Sequence, residues 1–248
     1  MKPLTVAILA GGLATRLQPD TYAVPKSLLP VAGRPFLHWQ LQLLARQGIE
    51  HVVLCIGHLG EQIQRSVGDG CALGLSVDYS HDGAGSHDGA GSHDGAGLLG
   101  TGGALRRALP LLGPSFFVLY GDSYLPCSFA DVQSAWQHAG AHGLLTVCPN
   151  ESGPEPSNVL LQEGRVAVYD KWTAQPGMRH IDYGLAILSA RALLDRPDGL
   201  AFDLADLYRE LALRGELAAF EMQQRYFEIG SRPGLAATER WLSGGMSQ

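Results

Sequence analysis

The residues with the plainest chemical purpose stand near the start of the chain: Leu9-Ala10-Gly11-Gly12, then Arg16, then Lys26 between Pro25 and Ser27. An apolar run from Leu4 to Ala10 ends abruptly at the two glycines. Without a Cβ, a glycine backbone lets a ligand come close, and successive backbone N–H groups in such a turn cradle oxyanions. Arg16 and Lys26 add positive charge nearby, so the segment is shaped for a polyphosphate. Neither standard nucleotide fingerprint fits, because the glycines space neither as G-x-x-x-x-G-K-[ST] nor as G-x-G-x-x-G. A carboxylate, Asp122, follows the apolar run Phe116–Tyr120 and Gly121. At a strand's end it is placed to face a ligand crevice.

Positioning these groups requires a particular kind of scaffold. The first run reads as a buried strand, rich in Val, Ile and Leu and bounded by Pro3 and Gly11. Helical spacing follows over Pro35–Gln47, with Gly48 as a stop, and His51–Ile56 reads as an apolar strand. The pattern continues with a short helix over Gly60–Val67, a short strand over Ser76–Tyr79, a helix over Gly102–Leu112 and the strand Phe116–Tyr120. Phe129–Ala139 is helical and Leu144–Cys148 extended. Such alternation implies βαβ units and an α/β fold with a mostly parallel sheet, whose ligands sit at the carboxyl ends of the strands.

Beyond Pro149 the rhythm changes. Asn158–Leu161 and Arg165–Tyr169 read as a hairpin through Gln162-Glu163-Gly164. Ile181–Leu188 is a strand, and Phe202–Arg214 a helix with Asp203 as N-cap and Gly215 as stop. Leu217–Ile229 is mostly extended, and Gly234–Leu242 closes as a helix. The reading is one domain over 1–248, with a nucleotide-binding half in 1–150 and a smaller substrate-binding half in 151–248 laid on the same sheet.

Ser-His-Asp-Gly-Ala-Gly occurs three times from Ser80 to Gly97. One reading is a metal site, since His81, His87 and His93 recur with Asp82, Asp88 and Asp94. The favoured reading is a flexible, tolerated insertion, because Gly and Ala bury too little apolar area to offset ordering entropy.

At 248 residues the chain has ample length for a packed core. A net charge of −6 argues against a nucleic-acid surface. Cys55, Cys71, Cys127 and Cys148 form no C-x-x-C pair, and Cys55 and Cys148, lying in apolar runs, suit buried free thiols. The first residues lead straight into a strand rather than a signal peptide, and no run reaches membrane-spanning length. A cytoplasmic protein is expected.

A-G-G-x-x-T-R-L followed by V-P-K-S-L-L-P resembles the signature of the sugar-phosphate nucleotidyltransferases, the nucleoside-diphosphate-sugar pyrophosphorylases. Ala14 stands where that family usually has Gly. Four further segments extend the resemblance from Leu4 to about Leu235. Gly100-Thr101-Gly102-Gly103 resembles the family's second Gly-rich turn, and Tyr120-Gly121-Asp122 its Gly-Asp strand end. Tyr169-Asp170-Lys171 occupies the place of a Glu-Lys-Pro-type segment, without the Glu or the Pro. His180-Ile181-Asp182-Tyr183-Gly184 corresponds to the sugar-contacting strand, with Asp182 where Asn is frequent. Phe227-Glu228-Ile229-Gly230-Ser231 resembles F-x-D-I-G-T, with Glu228 in place of Asp.

The resemblance implies a Rossmann-like, GT-A-like fold and transfer of a nucleoside monophosphate to a sugar 1-phosphate, with pyrophosphate leaving. It implies Arg16 and Lys26 as catalytic cations, and Leu9, Ala10, Gly11, Gly12, Thr101 and Gly102 as the nucleotide contacts. Lys171, Asp182, Tyr183 and Gly184 would take the sugar phosphate, and Asp122 with Glu228 would hold Mg²⁺. The closest look is to D-glycero-D-manno-heptose 1-phosphate guanylyltransferases, which implies GTP and a manno-configured sugar. N-acetylmuramate 1-phosphate uridylyltransferases share most of the motifs and provide an alternative. Partners are then a nucleoside triphosphate and a sugar 1-phosphate, with no nucleic acid or membrane and with room for a homo-oligomer. A sensor of the same fold without turnover should have lost its charged positions, yet Arg16, Lys26 and Asp122 are present. A dinucleotide oxidoreductase fails on the missing fingerprint.

Overall fold

In the computed structural model, which describes residues 2–12, 17–82, 97–150 and 156–244, the first apolar run forms strand β1, Thr5–Leu9. A small pair of strands, β2 (Pro30–Val31) and β3 (Arg34–Pro35), leads into helix α1, Phe36–Arg46. Then come β4 (His51–Ile56), α2 (Gly60–Val67), β5 (Ser76–His81) and α3 (Gly100–Leu112). Next are β6 (Ser115–Tyr120), β7 (Ser123–Tyr124), α4 (Phe129–Ala139) and β8 (Gly143–Pro149). The second half contributes β9 (Val159–Gln162), β10 (Arg165–Tyr169), β11 (His180–Ser189) and the short α5 (Arg191–Leu194). It ends with α6 (Leu204–Leu213), β12 (Leu217–Glu221), β13 (Phe227–Glu228) and α7 (Arg232–Gly244). Asp203 caps α6 as expected, accepting from the Ala205 N–H at 2.9 Å.

One nine-stranded sheet, in the order β5-β4-β1-β6-β11-β8-β12-β10-β9, carries the fold. The block β5-β4-β1-β6 is parallel, as βαβ alternation requires. Strand β11 runs antiparallel between β6 and β8, and β12 is parallel to β8. Hence only β11 and β10 oppose the common direction, and the sheet is mixed but mostly one-way.

Both faces of the sheet are covered, which is why its strands read as continuous apolar runs. Val6, Ile8, Val52 and Leu54 face the layer built by α1, α2 and α4, whose Leu37, Leu41, Ile63 and Phe129 are fully buried. Ala7, Val53 and Val118 face α3 and α6 through Leu105, Ala108, Leu207 and Leu211. Burying each such aliphatic chain contributes roughly 1.5–3 kcal/mol. A third, smaller cluster of Val31, Phe36, Trp39, Tyr124, Phe227 and Ile229 ties β2, β7, β13 and α7 together. That cluster brings the end of the chain back to the residues after β6.

The repeat begins differently from expectation. Ser80 and His81 complete β5, paired with Cys55 and Ile56 of β4. Ser80 is buried and His81 exposed, so pairing with β4 outweighs the composition there. His87, His93, Asp88 and Asp94 lie outside the described residues.

Candidate active site

The carboxyl ends of β1, β4 and β6 open onto a cavity of about 240 Å³. Leu9 to Gly12, Lys26, Thr101 and Asp122 line it, so most of the residues expected to hold a nucleotide and its phosphates share one space. The walls are tight because backbone meets backbone. A Cβ on Gly11 would sit 3.0 Å from the Gly57 amide nitrogen, and one on Gly121 2.9 Å from the Leu9 carbonyl oxygen. The Gly121 N–H donates to that same carbonyl at 2.9 Å, bolting β6 to β1 just before Asp122.

Lys26 reaches Asp122 with Nζ 2.6 Å from Oδ2, both side chains about one quarter exposed. Strand β13 pairs with β7, Glu228 opposite Ser123, and the Ile229 N–H donates to the Asp122 carbonyl. Glu228 therefore arrives beside Asp122 from the far end of the chain. The absent Cβ of Gly230 leaves a cradle between them: its position would lie 3.0 Å from Glu228 Oε2, 3.1 Å from Asp122 Oδ2 and 3.7 Å from Lys26 Nζ. Two hard carboxylates facing one such spot suit Mg²⁺, which takes one or two carboxylates and leaves its other positions to water and phosphate. Glu228 also serves the turn into α7, accepting from the N–H groups of Gly230 and Ser231 and from Ser231 Oγ. Part of its acceptor capacity is thereby committed to that helix start.

A second polar group lies beyond Tyr120, whose buried phenol lines the cavity. Burial, then the charges of Asp182, Asp203 and Asp122, push that phenol well above its ordinary value. Asp182 accepts from the Gly184 N–H at 2.8 Å and from the Tyr169 hydroxyl at 3.2 Å. Burial raises its carboxyl to about 6, against the pull of Gly184, Tyr169 and Lys171. Lys171 Nζ sits 3.3 Å from Asp203 Oδ2, while Thr101 Oγ1 donates to Asp203 Oδ1 at 3.2 Å. Burial alone would raise the Asp203 carboxyl, but the Ala205 N–H and Lys171 hold it below its ordinary value. Asp203 thus joins the Gly-rich turn of α3 to the second half of the chain.

Two expected contacts are placed elsewhere. Tyr183 turns to the opposite face of the sheet, fully buried with its ring 5.8 Å from that of Tyr226. The cause is strand alternation, since Asp182 and Tyr183 cannot point the same way. Gly102 lies under the Phe202 ring, which a Cβ would penetrate, and its N–H donates to the Phe202 carbonyl at 3.0 Å. It serves helix packing rather than the cavity wall. Arg16 lies outside the described residues. Tyr120 and Asp203 are the residues that sequence reasoning passed over as site groups, and Asp82 entered only through the metal reading of the repeat. For Tyr120 the signal was its place directly before Gly121-Asp122.

A glycine-lined cavity at the carboxyl edge of an open α/β sheet, with a lysine–carboxylate pair at its floor, defines the class of proteins that seat small ligands at that edge. More particularly, the chain belongs to the nucleotidyl transferase family, which it matches over residues 5–158. It is 29% identical over 231 residues to the mannose-1-phosphate guanyltransferase beta-B of Xenopus laevis, a match covering 90% of this chain and 60% of that protein. It is 35% identical over 164 residues to the N-acetylmuramate alpha-1-phosphate uridylyltransferase of Neisseria meningitidis serogroup B, covering 64% of this chain and 65% of that one. The chain therefore spans less than two thirds of the length of these relatives. The fold is shared with HddC from Yersinia pseudotuberculosis complexed with GMP-PN, at a TM-score of 0.75 and 22% identity over 96% of this chain and 99% of that one. No helix among the described residues is long and apolar enough to cross a membrane.

Proposed function

We propose that this chain transfers a nucleoside monophosphate from a nucleoside triphosphate to a sugar 1-phosphate, with residues 1–150 holding the nucleotide and 151–248 the sugar. The observation that carries the reading is the convergence of Lys26, Asp122 and Glu228 at Gly230, beside the cavity edged by Gly11 and Gly12. A phosphate oxygen of the sugar 1-phosphate attacks the α-phosphorus; that P–O bond forms as the bond to the β-phosphate breaks, and pyrophosphate leaves. The protein supplies no nucleophile. Its task is to hold two mutually repelling anions in line, which can remove roughly 7–11 kcal/mol of barrier in favourable cases.

The glycine turn presents backbone N–H groups to the phosphates, and Lys26 lies against the α-phosphate. Arg16 is assigned to the departing pyrophosphate. Lys171, whose ammonium pairs with Asp203, takes the sugar phosphate, and Asp182 and the Gly184 backbone face the sugar. Mg²⁺, held by Asp122 with Glu228, would neutralise charge on the phosphate oxygens. GTP and a manno-configured hexose or heptose 1-phosphate are the substrates proposed. Support comes from the guanylyl-named relatives and from the motifs shared with heptose 1-phosphate guanylyltransferases. The uridylyl-named relative at 35% identity supports N-acetylmuramate 1-phosphate with UTP as a second reading. A cytoplasmic setting fits either.

Pyrophosphate release from each of four triphosphates, paired with a panel of sugar 1-phosphates, tests this. Turnover should require all of triphosphate, sugar 1-phosphate and Mg²⁺, and Asp122→Asn should lower it about 10²-fold or more, near 3 kcal/mol of barrier. No release with any pair, or full activity in excess chelator, overturns the reading.

A further inference from the structure

Among the described residues, the tryptophan with the barest indole stands beside the lysine assigned to the sugar phosphate. Trp172 is 68% exposed, while Trp39 is buried and Trp241 rests against Tyr124 and Phe227. Trp136 packs on the apolar core from its edge. Trp172 instead carries the Lys171 ammonium over its ring, with Nζ 5.2 Å from the centroid. The same Nζ lies 3.3 Å from Asp203 Oδ2, and Asp203 accepts from the hydroxyl of Thr101 on the cavity wall. One run of contacts thus leads from the cavity to the indole: Thr101, Asp203, Lys171, Trp172.

The turn that presents the indole is firmly built. Asp170 Oδ1 accepts the N–H groups of Trp172 and Thr173, both at 2.9 Å, and Arg209 Nη2 sits 3.7 Å from the same oxygen. Ahead of the turn, Tyr169 ends β10 buried against Tyr208. Behind it, the Met178 N–H donates to the Gln175 carbonyl at 3.2 Å. A fixed backbone here leaves a large apolar ring in water, although such rings are ordinarily well buried. A lone exposed apolar side chain needs no explanation, but this one is held against the ammonium assigned to a ligand's charge.

In a sugar 1-phosphate the ring begins one oxygen beyond the phosphorus. A phosphate seated on Lys171 therefore brings its ring within reach of the indole. The equatorial hydroxyls of a pyranose point around its rim, while axial C–H bonds leave apolar patches on its faces. Such a patch suits the negative face of an aromatic ring, and Trp, with two side-chain torsions, is ordered at low entropic cost. Asp182 and Gly184 are left to read the hydroxyls.

We propose that Trp172 is a specificity-determining residue for the acceptor, packing its indole on the C–H face of the pyranose whose 1-phosphate Lys171 holds; the proposal rests on the nucleotidyl-transfer reading of the same site. The contact selects a six-membered sugar ring over phosphate monoesters at large. It suits mannose, heptose and N-acetylmuramate 1-phosphates alike and leaves the choice among them to polar groups.

The test uses the unaltered chain, Trp172→Phe and Trp172→Ala. The acceptors are the 1-phosphates of mannose, D-glycero-D-manno-heptose and N-acetylmuramic acid, with methyl phosphate as a ringless competitor. Because the indole is exposed, neither substitution opens a core cavity. Trp172→Ala should raise KM for the acceptor by about ten-fold or more, with KM for the triphosphate and inhibition by methyl phosphate unchanged, whereas Trp172→Phe should stay within about three-fold of the unaltered chain. The emission of Trp172, read as the difference between the unaltered chain and Trp172→Phe, should shift when acceptor is added with a non-hydrolysable triphosphate. An unchanged acceptor KM in Trp172→Ala overturns the role of Trp172 and leaves nucleotidyl transfer standing. So does a loss shared equally by methyl phosphate, which would make the indole a support for the ammonium alone. Turnover of no acceptor with any triphosphate overturns nucleotidyl transfer itself, and the proposal with it.

Discussion

Replacing Asp182 by Asn should make the protein more stable at neutral pH, and by an amount that depends on pH. The Asp182 carboxyl titrates near 6 in the fold, against an ordinary value of 3.8. Burial is the cause, and the N–H of Gly184, the Tyr169 hydroxyl and Lys171 only partly offset it. Between those two values the folded chain holds a proton that the unfolded chain has released. Stability therefore declines as pH rises through that window, and the full penalty is present above pH 6. Two pKa units correspond to about 3 kcal/mol. An Asn side chain keeps the acceptor for the Gly184 N–H and can donate to the Tyr169 oxygen, so both native contacts survive without the charge. At pH 8 the variant should gain up to about 3 kcal/mol, or roughly 6–12 °C in melting temperature for a chain of this size. Near pH 4 the gain should shrink to about 0.6 kcal/mol, because the folded carboxyl is then neutral while the unfolded one is still partly ionised. Thermal or urea denaturation of both proteins at pH 4, 6 and 8 measures this directly. A gain of the same size at every pH, or a loss at pH 8, would refute the assignment of a buried, strained charge.

The remaining expectations are structural. Deleting residues 86–97 should leave the melting temperature and the turnover nearly unchanged, because the Asp82–Leu99 hydrogen bond already holds the ends of the insertion together and closure entropy changes by only about 0.6 kcal/mol per doubling of length. Large losses, or stoichiometric Zn²⁺ binding that disappears with the deletion, would restore the histidine metal site instead. Gly102→Ala should destabilise the fold by about 1–3 kcal/mol by overpacking, since the new methyl meets a Phe202 ring that Arg196 stacks over at 4.2 Å; an unchanged denaturation midpoint would count against that packing role.

Local patterns read well where the chain obeys one period. The parallel block β5-β4-β1-β6 followed from apolar runs separated by helical spacing, and the Asp203 cap of α6 from residue type alone. Pairing partners did not follow, because no periodicity in Ile181–Leu188 announces that β11 will lie antiparallel between β6 and β8. Side-chain direction was lost at Tyr183, where a motif treated as a unit ignored strand alternation. At Gly102 a glycine near a phosphate-type turn proved to be cut to fit Phe202, a contact about a hundred positions away that only the fold creates. Asp82 was hidden by its setting, since averaging over a Gly-rich repeat masks two residues that finish a strand and one that turns into the cavity. Lys26, Asp122 and Glu228 were legible as separate charges, but their meeting at Gly230 depends on β13 returning to β7.

The position of β11 also bears on how the chain comes to be folded during synthesis. A ribosome that has released residues 1–150 has delivered β6 and β8, yet these strands are not neighbours. Until Ser189 emerges, β6 offers an open edge, and β8 has none of its eventual partners, because β12 is made later still. Unpaired edges of this kind are sticky, and long-range pairings of this kind form slowly. Truncation anywhere before β11 should therefore yield an aggregating fragment rather than a smaller working protein, however completely residues 1–150 are encoded within it.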